Sequence, residues 1–407
     1  MVGALSHVRV LDLSRVLAAP VSSQNLADLG AEIIKVERPG TGDDTRGWGP
    51  PYLKDRDGRD TTDSIYFLCA NRGKKSLTLD IAKPAGQDIV RRLAAKSDIL
   101  LENYKTGALA RYGLDYASLK AVNPRLIYCS VTGFGHTGPY AKRPGYDPVM
   151  QGMSGLMSIT GEPDSVAGGG PLRAGVAVTD LMTAAYATIA MLAALAHREV
   201  SGVGQHIDLA LLDVQVFNLA NVGLNYLHTG KVPTRHGNAH VNVVPSQAFR
   251  CKGGLMMIAC GNDAQFRRLC EALGQPALAD DPRYATNAAR FANKAEMIGL
   301  LEDITTQRTA AEWVRVIDAA DVPCGPVNDI AQVFADPQVQ ARGMRVEVPH
   351  PAAGAIPLIA NPIHLSATPI EYHRAPPLLG QHTREILREL LAMSDADIDG
   401  LARERII

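Results

Sequence analysis

Asp180 is the residue in this chain best placed to do chemistry. It closes the polar stretch Pro171-Leu-Arg-Ala-Gly-Val-Ala-Val-Thr-Asp180 and opens an apolar one. From Leu181 to Glu199 there is no proline or glycine, and Leu, Met, Ile and Ala recur at helical spacing, which predicts a long helix. A carboxylate at a helix head faces unpaired backbone N–H groups and the positive end of the helix dipole. That setting favours the ionised form, the state a nucleophile needs. A purely structural N-cap is the simpler local reading. The choice between them depends on what surrounds Asp180.

The rest of the chain narrows the surroundings. Its 407 residues suggest two or three domains. A formal net charge of −1, with basic residues scattered along the chain, offers no track for nucleic acid and no patch for an anionic membrane. The six cysteines form no CxxC pair and no Cys/His zinc spacing, so no metal site is expected. Most lie in apolar contexts and read as reduced core residues, which points to the cytoplasm. Met1-Val-Gly-Ala-Leu-Ser-His-Val-Arg9 lacks the form of a signal peptide. The most apolar window, Ala184 to Ala196, is shorter than a bilayer span and reads as a buried helix of a soluble protein.

The elements that must hold Asp180 alternate in type over the first third. Strands are predicted at Val8–Leu13, Glu32–Glu37, Ser76–Ile81, Ile99–Glu102 and Leu126–Val131, with helices at Val21–Leu29 and Pro84–Lys96. This order implies an α/β fold with an open, mostly parallel, Rossmann-like sheet. Ligands of such sheets bind beyond the carboxyl ends of the strands. The turn Ser14-Arg-Val-Leu-Ala-Ala-Pro20 carries no GxGxxG, and no P-loop is present, so a typical NAD or ATP site is disfavoured. Gly133 to Gly175 reads as a long glycine- and methionine-rich loop. Past the Asp180 helix come a strand at His206–Leu209 and a helix at Leu211–His228. A smaller α+β region has strands near Ala248–Arg250 and Leu255–Ala259, and helices at Asp263–Leu273, Lys294–Gln307 and Ala310–Ala320. From Pro323 the chain reads as proline-rich and irregular, with a closing helix at Thr383–Leu391. The expected domains are 1–225, 226–330, and a 331–407 segment returning to the first.

Taken in order, several short motifs resemble the class III CoA-transferases, the CaiB/BaiF family, almost end to end. They include Leu29-Gly-Ala-Glu-Ile-Ile-Lys-Val-Glu-Arg-Pro-Gly40, Gly42-Asp43, Asn71-Arg-Gly-Lys-Lys-Ser-Leu-Thr-Leu-Asp80 and Glu102-Asn-Tyr104. Others are Tyr146-Asp147, Val178-Thr-Asp180, Gly202-Val-Gly-Gln-His-Ile-Asp208, Pro323-Cys-Gly-Pro-Val327 and Pro377-Leu-Leu-Gly-Gln-His-Thr383. The likeness puts the family's catalytic aspartate on Asp180. It implies attack on an acyl-CoA thioester, an aspartyl anhydride and an aspartyl-CoA thioester. Coenzyme A is then a substrate, with no tightly bound cofactor, and an interlocked homodimer is implied.

By the same likeness Arg15, Val16 and Leu17 lie beside CoA, Arg38 meets its phosphates, and Leu79 touches the adenine. Asn103, Tyr104 and Lys105 line the pantetheine arm, and Arg111 and Lys142 are further phosphate contacts, with Arg143 an alternative to Lys142. Backbone N–H groups at Gly152–Gly155 or Gly261–Asn262 are candidate oxyanion donors. The stretch Arg235-His-Gly-Asn-Ala-His240 and the run Arg173–Asp180 resemble the branch that includes succinyl-CoA:glutarate-type transferases. A small dicarboxylate acceptor follows, its second carboxylate met by Arg15, Arg173, His236 or His240; by themselves the two histidines read as loop residues. The oxalate-type glycine-rich tract is reduced here to Ala259-Cys-Gly-Asn262. The family's racemases carry a histidine where this chain has Tyr146, and a tyrosine is a poor second acid/base for racemisation. A racemase-like isomerase and an inert CoA-binding protein are the alternatives.

Overall fold

A computed structural model describes residues 3–407; Met1 and Val2, part of the segment read for a leader, lie outside them. By its internal packing the chain forms two compact units. The first comprises residues 3–156, 174–229 and 340–407, and the second residues 157–173 and 230–339.

The first unit is built on six strands: β1 (Arg9–Asp12), β2 (Glu32–Glu37), β3 (Lys74–Thr78), β4 (Ile99–Glu102), β5 (Ile127–Thr132) and β6 (His206–Ala210). Their spatial order is β3-β2-β1-β4-β5-β6, and every neighbouring pair is parallel. Strands of such sheets are buried on both faces, which is why β4 opens on the apolar run Ile99-Leu-Leu101. The order reverses between β1 and β4, so the loops after these two strands diverge and leave a crevice at their carboxyl ends. One face packs Leu11, Ile34, Leu77, Val90 and Leu100 together with Leu387 from the C-terminal helices. The other packs Val10, Ile33 and Leu101 against helix α1 (Ala18–Asp28) and the long helix that carries Asp180.

That helix, here α3, runs from Val178 to Ser201 and is 24 residues long. By length and composition alone it would cross a membrane, so the length argument drawn from the shorter window Ala184–Ala196 does not hold. Packing is the better guide. Ala187, Met191 and Ala194 are buried in the sheet-side core, and Arg198 pairs with Asp98 at 2.9 Å. Gly202, at φ 76°, ends the helix in the left-handed conformation that glycine adopts without strain.

Several sequence expectations are corrected. The Gly133–Gly175 stretch is not one loop, because it contains α2 (Asp147–Met153) and a short turn of helix at Leu156–Ile159. The strand expected at Ser76–Ile81 begins two residues earlier with Lys74 and Lys75. The helix expected at Leu211–His228 is two, Leu211–Phe217 and Ala220–Thr229, broken where Ala220 takes φ 47°. The irregular segment after Pro323 holds an antiparallel hairpin, Arg345–His350 with Gly354–Ile359, and a final helix at Asp395–Arg403.

The second unit has a three-stranded antiparallel sheet of Ser246–Cys251, Gly254–Ala259 and Cys324–Pro326. Its core gathers Phe249, Met256, Ile258, Phe266, Met297 and Trp313.

Candidate active site

The crevice at the strand-order reversal is bounded by Ser14–Leu17 after β1 and Asn103–Lys105 after β4. Asn103 stitches these loops together: its Oδ1 accepts the Arg15 N–H at 2.9 Å and its Nδ2 donates to the Arg15 carbonyl at 2.7 Å. The Arg15 guanidinium lies over the Tyr104 ring at 5.4 Å and pairs with Asp44 at 2.9 Å. Both members of that pair are more than a third exposed, so it costs little to exchange Asp44 for an incoming anion.

Beneath the loops lies a layer of buried ion pairs. Lys35 meets Asp43 at 2.8 Å, and both side chains are 0% exposed. Lys35 also donates to the Ser14 carbonyl at 2.8 Å. Asp43 accepts the Val16 N–H, holding this β-branched residue at φ 73°. Burial alone would raise the Asp43 carboxyl, but the Lys35 ammonium outweighs it and pulls the group down to about 2. Lys74 meets Asp12 at 3.2 Å in the same layer.

Two cavities of about 170 Å³ each adjoin at Arg15 and Tyr104. The first runs past Val16, Leu17, Asn103 and Lys105 to Asp180. The second is lined by Arg38, Leu79 and Arg111. Nine of the ten residues assigned to CoA by resemblance therefore line one continuous groove. Lys142 does not. Arg143 lines the groove in its place, its guanidinium over the Tyr140 ring at 4.5 Å.

Asp180 sits third in α3 and is 9% exposed. The reading of Asp180 as the helix cap does not survive. Another carboxylate caps the helix: Asp147, the first residue of α2, accepts the Thr179 N–H at 2.8 Å and the Asp180 N–H at 3.3 Å through Oδ2. Its Oδ1 accepts from Gln151 Nε2 at 2.6 Å. The helix-head donors are thus spent on Asp147, and the Asp180 side chain lines the cavity without an ion pair to any described residue. Burial first, and the Asp147 charge second, push the Asp180 carboxyl up to about 7. The expectation of a readily ionised group is corrected accordingly. Such a carboxylate is more basic than an ordinary one and, once ionised, poorly solvated, so it is the better nucleophile. Tyr66 lies close enough that burial and the Asp180 charge raise its phenol to about 12. Tyr146 also lines the cavity and is 60% exposed.

Asp147, Asp43 and Arg143 carry much of this arrangement; sequence reasoning gave the two acids no role and named Arg143 only as the alternative to Lys142. Asp147 was visible only as the neighbour of Tyr146. The signal was an acid followed by proline, a helix-starting pair inside a glycine-rich stretch.

The glycine segments expected to bind an oxyanion are engaged locally. Gly152 lies within α2, and Gly155 donates to the Gly152 carbonyl at 3.4 Å. In the second unit the Gly261 N–H donates to Gln265 Oε1 at 2.7 Å, while Asn262 caps the helix Asp263–Ala272. His240 Nδ1 accepts the N–H groups of Asn242 and Val243, each at 3.1 Å, which leaves it shaping its own loop. His236 lies beside Thr234, and Arg173, also of the second unit, is exposed.

Comparison with known proteins identifies the family. Residues 5–383 match the CoA-transferase family III profile. The chain is 50% identical over 386 residues to the succinate–glutarate CoA-transferase of Agrobacterium fabrum, covering 95% of both. It is 43% identical over 403 residues to the human succinyl-CoA:glutarate CoA-transferase, covering 99% of this chain and 90% of the human protein. Among solved structures, a CaiB/BaiF family protein from Brucella suis superposes with a TM-score of 0.85 at 47% identity, over 96% of this chain and 100% of that one.

Proposed function

Because this chain belongs to CoA-transferase family III, we propose that it moves CoA from succinyl-CoA, or a similar short acyl-CoA, to glutarate or a related small dicarboxylate. The observation that carries the reading is the buried Asp180 carboxylate, without an ion pair among the described residues, at the end of a groove rich in cationic side chains. Three cations on the first cavity, Arg15, Lys105 and Arg143, suit a substrate bearing phosphates and carboxylates.

The chemistry then follows from one oxygen. An ionised Asp180 Oδ attacks the thioester carbonyl, the C–S bond breaks, and CoA leaves as thiolate from a mixed anhydride. The thiolate attacks the Asp180 carbonyl carbon, releasing the donor acid as a carboxylate and leaving an aspartyl-CoA thioester. The acceptor carboxylate displaces CoA thiolate from that thioester, giving a second anhydride. Attack of the thiolate on the acceptor's acyl carbon completes the new acyl-CoA and frees Asp180. Protons balance without an external acid or base, and one hard exchange becomes several easier ones.

The protein is an interlocked homodimer in this proposal. Leu181 and Ile189 on α3, with Phe217 and Leu227 on the two helices after β6, are exposed, and so much apolar surface on adjacent helices supports a partner copy. Six free cysteines support a reducing compartment such as the cytoplasm. A panel of acyl-CoA donors against mono- and dicarboxylic acids tests the substrate, and light scattering tests the dimer. Transfer from succinyl-CoA to glutarate well above that to acetate or oxalate is expected. Equal rates across the panel would overturn the dicarboxylate assignment.

A further inference from the structure

One buried carboxyl anchors the Asn103–Lys105 wall of the groove and takes no part in the transfer steps. Glu102 ends β4 and is 5% exposed. Its Oε2 accepts the Tyr104 N–H at 2.7 Å. Ser130 stands directly opposite on β5, and its hydroxyl favours the ionised form of the same carboxyl. Ser130 Oγ lies 3.0 Å from His206 Nε2 on β6. Three polar side chains on three adjacent strands thus form a row across the sheet. His206 is fixed in turn by rings, stacked on Tyr116 at 5.3 Å and edge-on to His136 at 5.1 Å. A buried polar group is costly unless it is paired, and a paired one rigidifies what it holds. Its free end is the backbone of Tyr104; of the residues on either side, Asn103 grips Arg15, and both Asn103 and Lys105 line the way to Asp180.

We infer that Glu102 is a positioning residue for acyl-CoA, fixing the backbone at Tyr104 so that Asn103, Tyr104 and Lys105 hold the wall against which the CoA arm lies. This rests on the CoA-transferase reading and adds to it a residue that never touches the substrate.

The row has two proton arrangements. With Glu102 ionised, Ser130 donates to it and His206 Nε2–H donates to Ser130. With Glu102 protonated, the hydroxyl turns and His206 Nε2 accepts. Only the first gives Tyr104 a charge-assisted hydrogen bond, roughly twice the strength of a neutral one. Burial pushes the Glu102 carboxyl up to about 7, with the Ser130 and Tyr104 hydrogen bonds offsetting part of the rise. Burial, then the neighbouring His136, hold His206 below its usual range, so it stays neutral as Glu102 takes a proton. The other charged or titratable groups near the row are Lys105, Asp115, Tyr116, Tyr128, Cys129, His136 and Asp208. The anchor therefore weakens as pH falls through about 7.

The test is CoA binding by calorimetry in full-length protein carrying Asp180→Asn, which removes the other carboxyl that titrates nearby. Adding Glu102→Ala should weaken CoA binding about tenfold, the scale of one charge-assisted hydrogen bond. In the Asp180-intact protein it should raise KM for acyl-CoA more than it lowers kcat. Glu102→Gln keeps an acceptor for Tyr104, so it should retain most of the affinity but lose the pH response that Glu102 confers. Should Glu102→Ala unfold, Ser130→Ala serves instead and should move that response to higher pH. A folded Glu102→Ala that binds CoA as tightly as its parent, an unchanged pH response in Glu102→Gln, or one unmoved in Ser130→Ala overturns the inference alone. A parent that binds no CoA would overturn the proposed function with it.

Discussion

Two sets of buried charges lie on either side of the same groove and behave in opposite ways. Under the β1 and β4 loops, Lys35–Asp43 and Lys74–Asp12 are fully buried pairs of opposite sign. At the head of α3, Asp180 is nearly as buried, but its nearest charged neighbour is another carboxylate, Asp147. The first set holds Asp43 ionised down to about 2, whereas the second keeps Asp180 near the edge of protonation at about 7. Burial with a partner makes scaffold; burial without one makes a reagent.

Removing each set separately breaks the comparison at its strongest point. Asp180→Ala should lower transfer by a factor of roughly 10⁴ or more, since a nucleophile has no substitute, while CoA still binds. Steady-state rates and calorimetry on the same sample check both halves. Lys35→Ala strands a buried Asp43 carboxylate and should cost about 3–5 kcal/mol of stability in urea unfolding. The stabilisation from Asp43 is present above the ordinary carboxylate range and is lost as pH falls through its folded value of about 2.

Smaller changes sharpen the same contrast. Asp147→Asn keeps an oxygen for the α3 head and removes the neighbouring charge. The rate of transfer, which should rise with pH through about 7 in the parent as Asp180 ionises, should then rise at lower pH. The shift should be partial, because burial is the larger cause. Asp180 also destabilises the fold once it ionises. Its folded value is raised, so stability is lost as pH climbs from the unfolded carboxylate range through about 7. Asp180→Asn should therefore raise the thermal midpoint by roughly 2–4 °C at alkaline pH and by less under acid conditions, as scanning calorimetry would measure.

The sheet was legible where apolar runs end at clear punctuation. β2 and β4 fall where the pattern puts them, because their apolar residues, Ile33, Ile34 and Val36 in one and Ile99, Leu100 and Leu101 in the other, mark strands buried on both faces. β3 was displaced because it opens with Lys74, a lysine that is fully buried only because Asp12 lies across the sheet. Hydrophobic periodicity has no way to register such a partner. The hairpin at Arg345–Ile359 was hidden by Pro349 and Pro357, which a two-stranded ribbon tolerates because each strand has a free edge. At the site, the motif around Asp180 was plain, yet its acidity was not. That property depends on Asp147, 33 residues earlier in the chain and adjacent only in the fold. The same holds for Val16, whose strained backbone is explained by Asp43 and nothing nearer.

The transfer chemistry requires that the Asp180 carboxylate become acylated. Incubating the protein with succinyl-CoA, quenching with hydroxylamine and mapping the hydroxamate by peptide mass spectrometry tests it most directly. The label should appear on Asp180, and only when the acyl-CoA is present. A label on any other side chain, or full turnover with Asp180 unmodified throughout, would contradict the account.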